Sequence, residues 1–136
     1  MADNLIAGEC PCGAVKFHIS GAFESFFLCH CSRCRKDSGS AHSANLFSST
    51  ATLTWASGEE SVKTFRLSGS RHTKSFCSEC GSELPIAQPE VGLLVVPAGS
   101  LDSRIYIRPN AHICYSSRAK WDNNLTSIEK IDELPG

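Results

Sequence analysis

Eight cysteines are the residues of this 136-residue chain whose types and spacing could do chemistry. Disulfide frameworks usually spread their cysteines along a chain, whereas groups with one or two intervening residues suit a shared metal ion. Seven of the cysteines fall into three such groups: Cys10 and Cys12; Cys29, Cys31 and Cys34; Cys77 and Cys80. The spacing therefore indicates metal binding rather than disulfides.

The first and last groups can combine into one four-cysteine site. Side chains two positions apart in an extended segment face the same side, so Cys10 and Cys12 can reach one ion. A tight turn can aim the sulfurs of Cys77 and Cys80 at one point, and Gly81 permits the positive φ that such a turn needs. We expect these four cysteines to hold a structural zinc, which would clip the start of the chain to its middle. Buried or redox-active thiols and an iron–sulfur cluster are the alternatives.

The middle group supplies three thiolates within six residues, and a structural zinc would need a fourth ligand. Cys114 is the one unassigned cysteine, and its alternating surroundings predict a small buried residue in a strand. The other candidates are the histidines His30, His42, His72 and His112. An open three-thiolate site is the leading interpretation. Such a centre ionises water poorly but suits the thiolate of an incoming small molecule.

Three basic residues lie beside this cluster. Arg33, Arg35 and Lys36 could pair with the carboxylates of a thiol-bearing substrate. The alternative is a solvated basic turn without a binding role.

The elements that must position these residues are predicted to be short strands. Runs with alternating character are separated by turn signals such as Ser20-Gly21 and Ser57-Gly58, which favours a single, mainly antiparallel β domain over residues 1–136. The expected strands are 15–19, 52–55, 62–67, 71–76, 93–96 and 111–115. Short helical turns are expected at 34–38 and, from Ile128, Ile131 and Leu134, near the end. Trp55 and Trp121 are expected in the core.

Composition excludes several classes of function. The formal net charge is −1, a balance that gives no electrostatic footprint for nucleic acid, so we expect none to bind. No apolar stretch approaches the roughly 20 residues that a membrane-spanning helix needs. The first residues carry no secretory pattern, so we expect a cytoplasmic protein. The oligomeric state is left open.

Three motifs together resemble the glutathione-dependent formaldehyde-activating family, also called the centromere protein V-like family. The stretch from Gly8 to Val15 is similar to its G-x-C-x-C-G-x-V pattern. The stretch from Cys29 to Gly39 is similar to C-H-C-x-x-C-R-K-x-x-G, and the stretch from Phe76 to Ser82 to F-C-x-x-C-G-S. The segment from Pro97 to Asp102, and later His112, Ile113 and Trp121, fit its C-terminal half.

The resemblance implies a β-tent fold with little helix, whose antiparallel sheets are pinned by a zinc on the four-cysteine site. It also implies a second, more labile zinc on Cys29, Cys31 and Cys34, where a glutathione thiolate can coordinate. The implied activity is that of a carbon–sulfur lyase, which joins formaldehyde and glutathione into S-hydroxymethylglutathione.

Substrate contacts are expected from Arg35, Lys36 and His42. The last of these stands where the family often has an aromatic residue. No dedicated catalytic base is evident, and His42 and His72 are candidates by position alone. A thiol-binding module without turnover and a zinc-stabilised interaction domain are the competing functions.

Overall fold

The computed structural model describes residues 5–136. Short strands dominate this part of the chain, and it contains one α-helix, α1 (Ser32–Ser38). The strands are β1 (Leu5–Glu9), β2 (Lys16–Ser20), β3 (Ser25–Cys29), β4 (Ser43–Ser48), β5 (Thr52–Ser57), β6 (Val62–Arg66), β7 (Thr73–Cys77), β8 (Glu83–Leu84), β9 (Ile86–Gln88), β10 (Leu93–Pro97) and β11 (Ala111–Ile113). The expected mainly β architecture with little helix is confirmed.

The strands form three sheets. Two have three strands each, in the orders β1-β2-β5 and β6-β7-β8, and the third has five, in the order β11-β3-β4-β10-β9. Neighbouring strands pair antiparallel, as expected, except that β11 runs parallel to β3. This parallel pair sets Ile113 opposite Cys29, so a late segment of the chain lies beside the first cysteine of the middle cluster.

A single hydrophobic cluster takes residues from all three sheets. Its members alternate along their strands, as expected of sheets with one buried face. Phe17 of β2, Leu46 of β4 and Leu84 of β8 are each no more than 2% exposed. Cys10 and Cys77 belong to the same cluster. The cysteines that end β7 and follow β1 are thus anchored in the core.

Four sequence expectations need correction. Trp121 is 62% exposed and is not a core residue, whereas Trp55 packs edge-on against Phe17. Cys114 is exposed and follows β11 in a left-handed conformation, with φ 52°, so it is not a buried strand residue. The chain around Ile128 forms no α-helix. Its apolar side chains are exposed, so nothing packs on them to offset the cost of nucleating a helix. The fourth correction is the parallel pairing of β11.

None of the helices in the described residues is long and apolar enough to cross a membrane.

Candidate functional site

The first and last cysteine groups meet in one four-thiol cluster. Cys10, Cys12, Cys77 and Cys80 place their sulfurs within 4.8 Å of one another. The Cys10 and Cys12 sulfurs are 3.5 Å apart, and those of Cys12 and Cys77 are 3.8 Å apart. All four are free thiols. A tetrahedral zinc with Zn–S bonds of about 2.3 Å needs sulfurs about 3.8 Å apart, so this donor set fits the ion.

Two glycine-containing turns aim these sulfurs. Gly13 and Gly81 have φ of +78° and +80°, a conformation that other residues rarely adopt. Their N–H groups donate to the carbonyls of Cys10 and Cys77 at 2.9 and 2.7 Å. The predicted role of Gly81 is confirmed, and Gly13 provides the same turn in the first half of the cluster.

Backbone donors also point at the sulfurs. Val15 N–H donates to Cys10 Sγ at 3.3 Å, and Glu79 N–H donates to Cys77 Sγ at 3.4 Å. Hydrogen bonds from the backbone and side chain of Ser82 lower the pKa of Cys80 to about 6. These donors favour the thiolate form, which is the form that binds a metal.

The middle cysteines form a separate three-thiol cluster where β3 ends and α1 begins. The sulfurs of Cys29, Cys31 and Cys34 also lie within 4.8 Å of one another. Cys31 caps the helix, because its sulfur accepts the N–H of Cys34 at 3.4 Å. Ser43 of β4 donates to the Cys34 carbonyl at 3.2 Å, which ties the helix to the central sheet.

The pKa of each thiol in this cluster depends on the neighbouring thiols. Burial raises the pKa of Cys34 and of Cys29, whereas the pKa of Cys31 is lowered because hydrogen bonds from Cys34 outweigh its burial. Three adjacent sulfurs cannot all ionise without a compensating cation. A metal ion would supply that charge, so this donor set also fits one.

In the part of the chain that the structure describes, the three cysteines have no fourth partner: neither a histidine, nor another cysteine, nor an acidic side chain joins the group. Cys114 in particular does not belong to it. Three protein ligands would leave one coordination position open on a bound ion, as in catalytic zinc sites.

His30 stands between Cys29 and Cys31 in the sequence. Its side chain is completely buried and faces the C-terminal segment. Its Nε2 lies 2.8 Å from Nδ1 of His112, and its Nδ1 lies 3.2 Å from a carboxylate oxygen of Asp122. Burial lowers the pKa of His30, and the neighbouring His42 lowers it further. The His42 ring packs edge-on against His30, with centroids 5.1 Å apart. These contacts fix the loop that carries the three thiols.

A cleft of about 190 Å³ adjoins the three-thiol cluster. Cys34 lines it from the helix, and Asn45, Phe47 and Val95 line it from β4 and β10. Its charged or ionisable members come from three separate elements: Asp37, Arg71, His72 and Glu83. The cleft therefore joins an apolar floor to a polar wall beside a thiol, the composition that small-molecule sites typically have.

Asp37 organises the polar wall. Its carboxylate accepts a hydrogen bond from His72 Nε2 at 2.5 Å and forms a salt bridge with Lys74 Nζ at 2.8 Å. Burial opposes ionisation of Asp37, but the hydrogen bonds from Lys74 and His72 prevail and lower its pKa. Burial raises the pKa of Glu83, and the charge of Asp37 adds to that shift. The wall thus holds one fixed carboxylate and a second carboxyl that resists ionisation.

The predicted substrate contacts occupy other positions. Arg35 is half-buried and Lys36 is exposed on α1, and neither is among the cleft-lining residues. His42 packs on His30 and does not line the cleft either. His72, a candidate by position alone, does line it.

Sequence reasoning missed three ionisable cleft residues, Asp37, Arg71 and Glu83. Asp37 follows Cys34 by three positions, one helical turn, so its position on the same face of α1 was predictable. The sequence carries no comparable signal for the other two. Glu83 reaches the cleft through the pairing of β8 with β7, and Arg71 lies in the turn before β7.

A larger cavity of about 580 Å³ lies elsewhere, lined by residues such as Ile6, Phe23 and Tyr106. Neither cysteine nor histidine lines it. The candidate chemistry is therefore in the smaller cleft.

Two comparisons with known proteins point to one family, and a third finds a similar fold. The family model described as glutathione-dependent formaldehyde-activating enzyme matches residues 5–117. A Halomonas elongata protein, provisionally named a glutathione-dependent formaldehyde-activating enzyme, is 32% identical over 127 residues, covering 86% of this chain and 79% of its own. A crystal structure of a Rhodobacter sphaeroides protein superposes with a TM-score of 0.54 at 25% identity, covering 73% of this chain and 90% of that one.

Proposed function

This chain belongs to the glutathione-dependent formaldehyde-activating enzyme family, and from that premise we propose that it is a zinc-dependent enzyme of the carbon–sulfur lyase type. Its reaction joins formaldehyde and glutathione into S-hydroxymethylglutathione. The observation that carries the proposal is the open three-thiol cluster at the rim of the cleft, because Cys34 belongs to both.

Two zinc ions per chain are proposed. Cys10, Cys12, Cys77 and Cys80 would hold the structural ion, and Cys29, Cys31 and Cys34 the second, more labile one. Zinc bound by three thiolates supplies a fourth position suited to a soft ligand such as the glutathione thiolate.

The cleft would hold the reacting ends of the two substrates. Its volume of about 190 Å³ is below the roughly 300–1,000 Å³ of typical ligand sites, so it suits a cysteinyl side chain and a small aldehyde. Phe47 and Val95 would exclude water from the aldehyde, and Asn45 offers a polar contact. Holding both partners together replaces a bimolecular encounter by a local one.

The body of glutathione would remain outside the cleft. Its carboxylates suit basic side chains, and Arg35, Lys36 and His42 are proposed as contacts, together with Arg71 at the cleft itself. We further propose a single domain over residues 1–136, located in the cytoplasm, with a small thiol as partner and neither nucleic acid nor membrane bound.

The proposal is tested by counting zinc and by measuring adduct exchange. Plasma mass spectrometry of gently purified protein should find about two zinc ions per chain. Exchange NMR should show that the protein accelerates interconversion of formaldehyde, glutathione and their adduct. Cys34→Ser should lose about one zinc and the acceleration. Cys114→Ser is the matched control, because it alters an exposed cysteine outside both clusters.

The competing functions predict different results. A thiol-binding module would bind glutathione saturably through Cys29, Cys31 and Cys34 without accelerating exchange. An interaction domain would neither bind glutathione nor accelerate the reaction.

A further inference from the structure

A histidine–aspartate pair lies on the wall of the cleft, outside both cysteine clusters. Nε2 of His72 and Oδ2 of Asp37 are 2.5 Å apart, and the two side chains are only 20% and 15% exposed. They come from distant elements, the turn before β7 and the last part of α1. The fold therefore brings a potential base and its orienting carboxylate into a cleft that also contains a thiol.

We propose that His72 is a catalytic residue that transfers the proton between thiol and aldehyde oxygen, and that Asp37 positions it. This inference rests on the proposed function, because it assigns a role within that reaction. It concerns side chains that bind neither of the proposed zinc ions.

Asp37 selects the tautomer of the imidazole. The carboxylate accepts from Nε2, so the ring carries its proton there when neutral. The other ring nitrogen, Nδ1, has no hydrogen-bond partner among the described residues and keeps its lone pair available. Nucleophile–base arrangements in enzymes use the same division, with one nitrogen oriented by a third group and the other free to accept a proton.

The charges around the pair suit this role. Lys74 Nζ lies 2.8 Å from the other oxygen of Asp37, so a positive charge already faces this carboxylate from outside the imidazole. Once His72 has accepted a proton, Asp37 lies in contact with the new charge and stabilises it. Glu83 and Arg71 are the remaining ionisable groups that line this wall. Burial raises the pKa of Glu83, which limits the second negative charge near the ring.

The proton transfer balances in both directions. His72 Nδ1 accepts the proton of the glutathione thiol, and the sulfur attacks the carbonyl carbon of formaldehyde. A C–S bond forms, and the π electrons of the C=O bond move to the oxygen. The imidazolium then donates its proton to that oxygen, which leaves a hydroxymethyl thioether and a neutral histidine. Breakdown of the adduct follows the same steps in reverse, and no oxidant or reductant is consumed.

The test compares His72→Gln with His18→Gln in the zinc-loaded protein. Glutamine can still donate to Asp37 but is not a base. We expect His72→Gln to lower kcat for adduct exchange about 100-fold, as loss of a general base typically does, with KM, zinc content and glutathione binding nearly unchanged. His18 lies on β2 and does not line the cleft, so His18→Gln should behave as wild type. Added imidazole should partly restore the rate of His72→Ala.

A second measurement does not depend on activity or on any variant folding. Long-range ¹H–¹⁵N NMR of the wild-type protein should show His72 protonated at Nε2 and unprotonated at Nδ1. A variant then adds a separate test of Asp37: Asp37→Asn should weaken that preference and change kcat more than KM.

The outcomes separate this inference from the proposed function. A wild-type protein that accelerates exchange and a His72→Gln variant with equal kcat would overturn the role of His72 alone. A neutral ring protonated at Nδ1 would do the same. A wild-type protein that does not accelerate exchange at all would overturn both.

Discussion

The sulfur of Cys12 lies 3.8 Å from the sulfur of Cys77, although 65 positions separate the two residues. The first follows β1, and the second ends β7, so the contact links two of the three sheets. Closing so long a loop costs conformational entropy, and an ion shared across it offsets that cost. Metal binding at the four-thiol cluster should therefore contribute directly to folding.

Cys12→Ser should remove one metal ion per chain and lower the free energy of unfolding by several kcal/mol. Structural zinc binding is worth about 10–16 kcal/mol in small domains, which exceeds the whole stability of many of them. Thermal unfolding with parallel metal analysis measures both effects. Cys114→Ser serves as control and should change neither. Equal melting temperatures for Cys12→Ser and wild type would show that the cluster does not support the fold.

Asp122→Ala should weaken metal binding at the three-thiol cluster about tenfold. The Asp122 carboxylate lies 3.2 Å from Nδ1 of buried His30, which stands between Cys29 and Cys31 in the sequence. Groups that orient metal ligands typically contribute 10- to 100-fold to metal affinity. Competition with a chromophoric chelator gives the affinity of the weaker site. Asp132→Ala changes an exposed aspartate of the same segment and should have no effect. If both variants lose metal equally, the contact with His30 is not what holds the loop.

The grouping of seven cysteines into two clusters was predictable because short cysteine spacings restrict where sulfurs can go. Two residues such as Cys77 and Cys80 can reach one ion through local turn geometry alone. We could predict that they would meet Cys10 and Cys12, because a structural zinc needs four protein ligands. The mainly β class was predictable for a similar reason, since alternation along strands such as β2 depends on nearby residues.

Long-range pairing was not predictable. The run Ser25–Cys29 is apolar without alternation, so it gave no strand signal, yet β3 pairs with β4 and β11 in the central sheet. Because that pairing was unseen, so was the contact between His30 and His112. The exposure of Trp121 was missed because residue type indicates a preference for burial but not whether a surface is present to bury it.

Leu46→Ala should destabilise the protein by about 2–5 kcal/mol. Leu46 is fully buried in the central strand β4, so truncation removes buried methyl groups and leaves a cavity. Chemical denaturation of the zinc-loaded protein measures the change. Leu134→Ala truncates a leucine that is 87% exposed and should cost less than about 0.5 kcal/mol. A cost for Leu46→Ala as small as that of the control would place the core elsewhere.

Glu83→Gln should stabilise the protein increasingly as pH rises from about 4.3 through the raised pKa of Glu83 in the folded state. Burial, reinforced by the charge of Asp37, raises the pKa of Glu83, so the folded state holds that proton more tightly than the unfolded chain does. The wild type therefore loses stability as pH rises from the unfolded pKa of about 4.3 through the raised folded value. The neutral amide does not titrate, so the variant avoids this loss. The melting temperature of the variant minus that of the wild type, measured with saturating zinc, should grow over this range. Glu129→Gln, at an exposed position, should show no such trend. A difference that shrinks as pH rises would mean that neighbouring cations, and not burial, control the charge on this wall of the cleft.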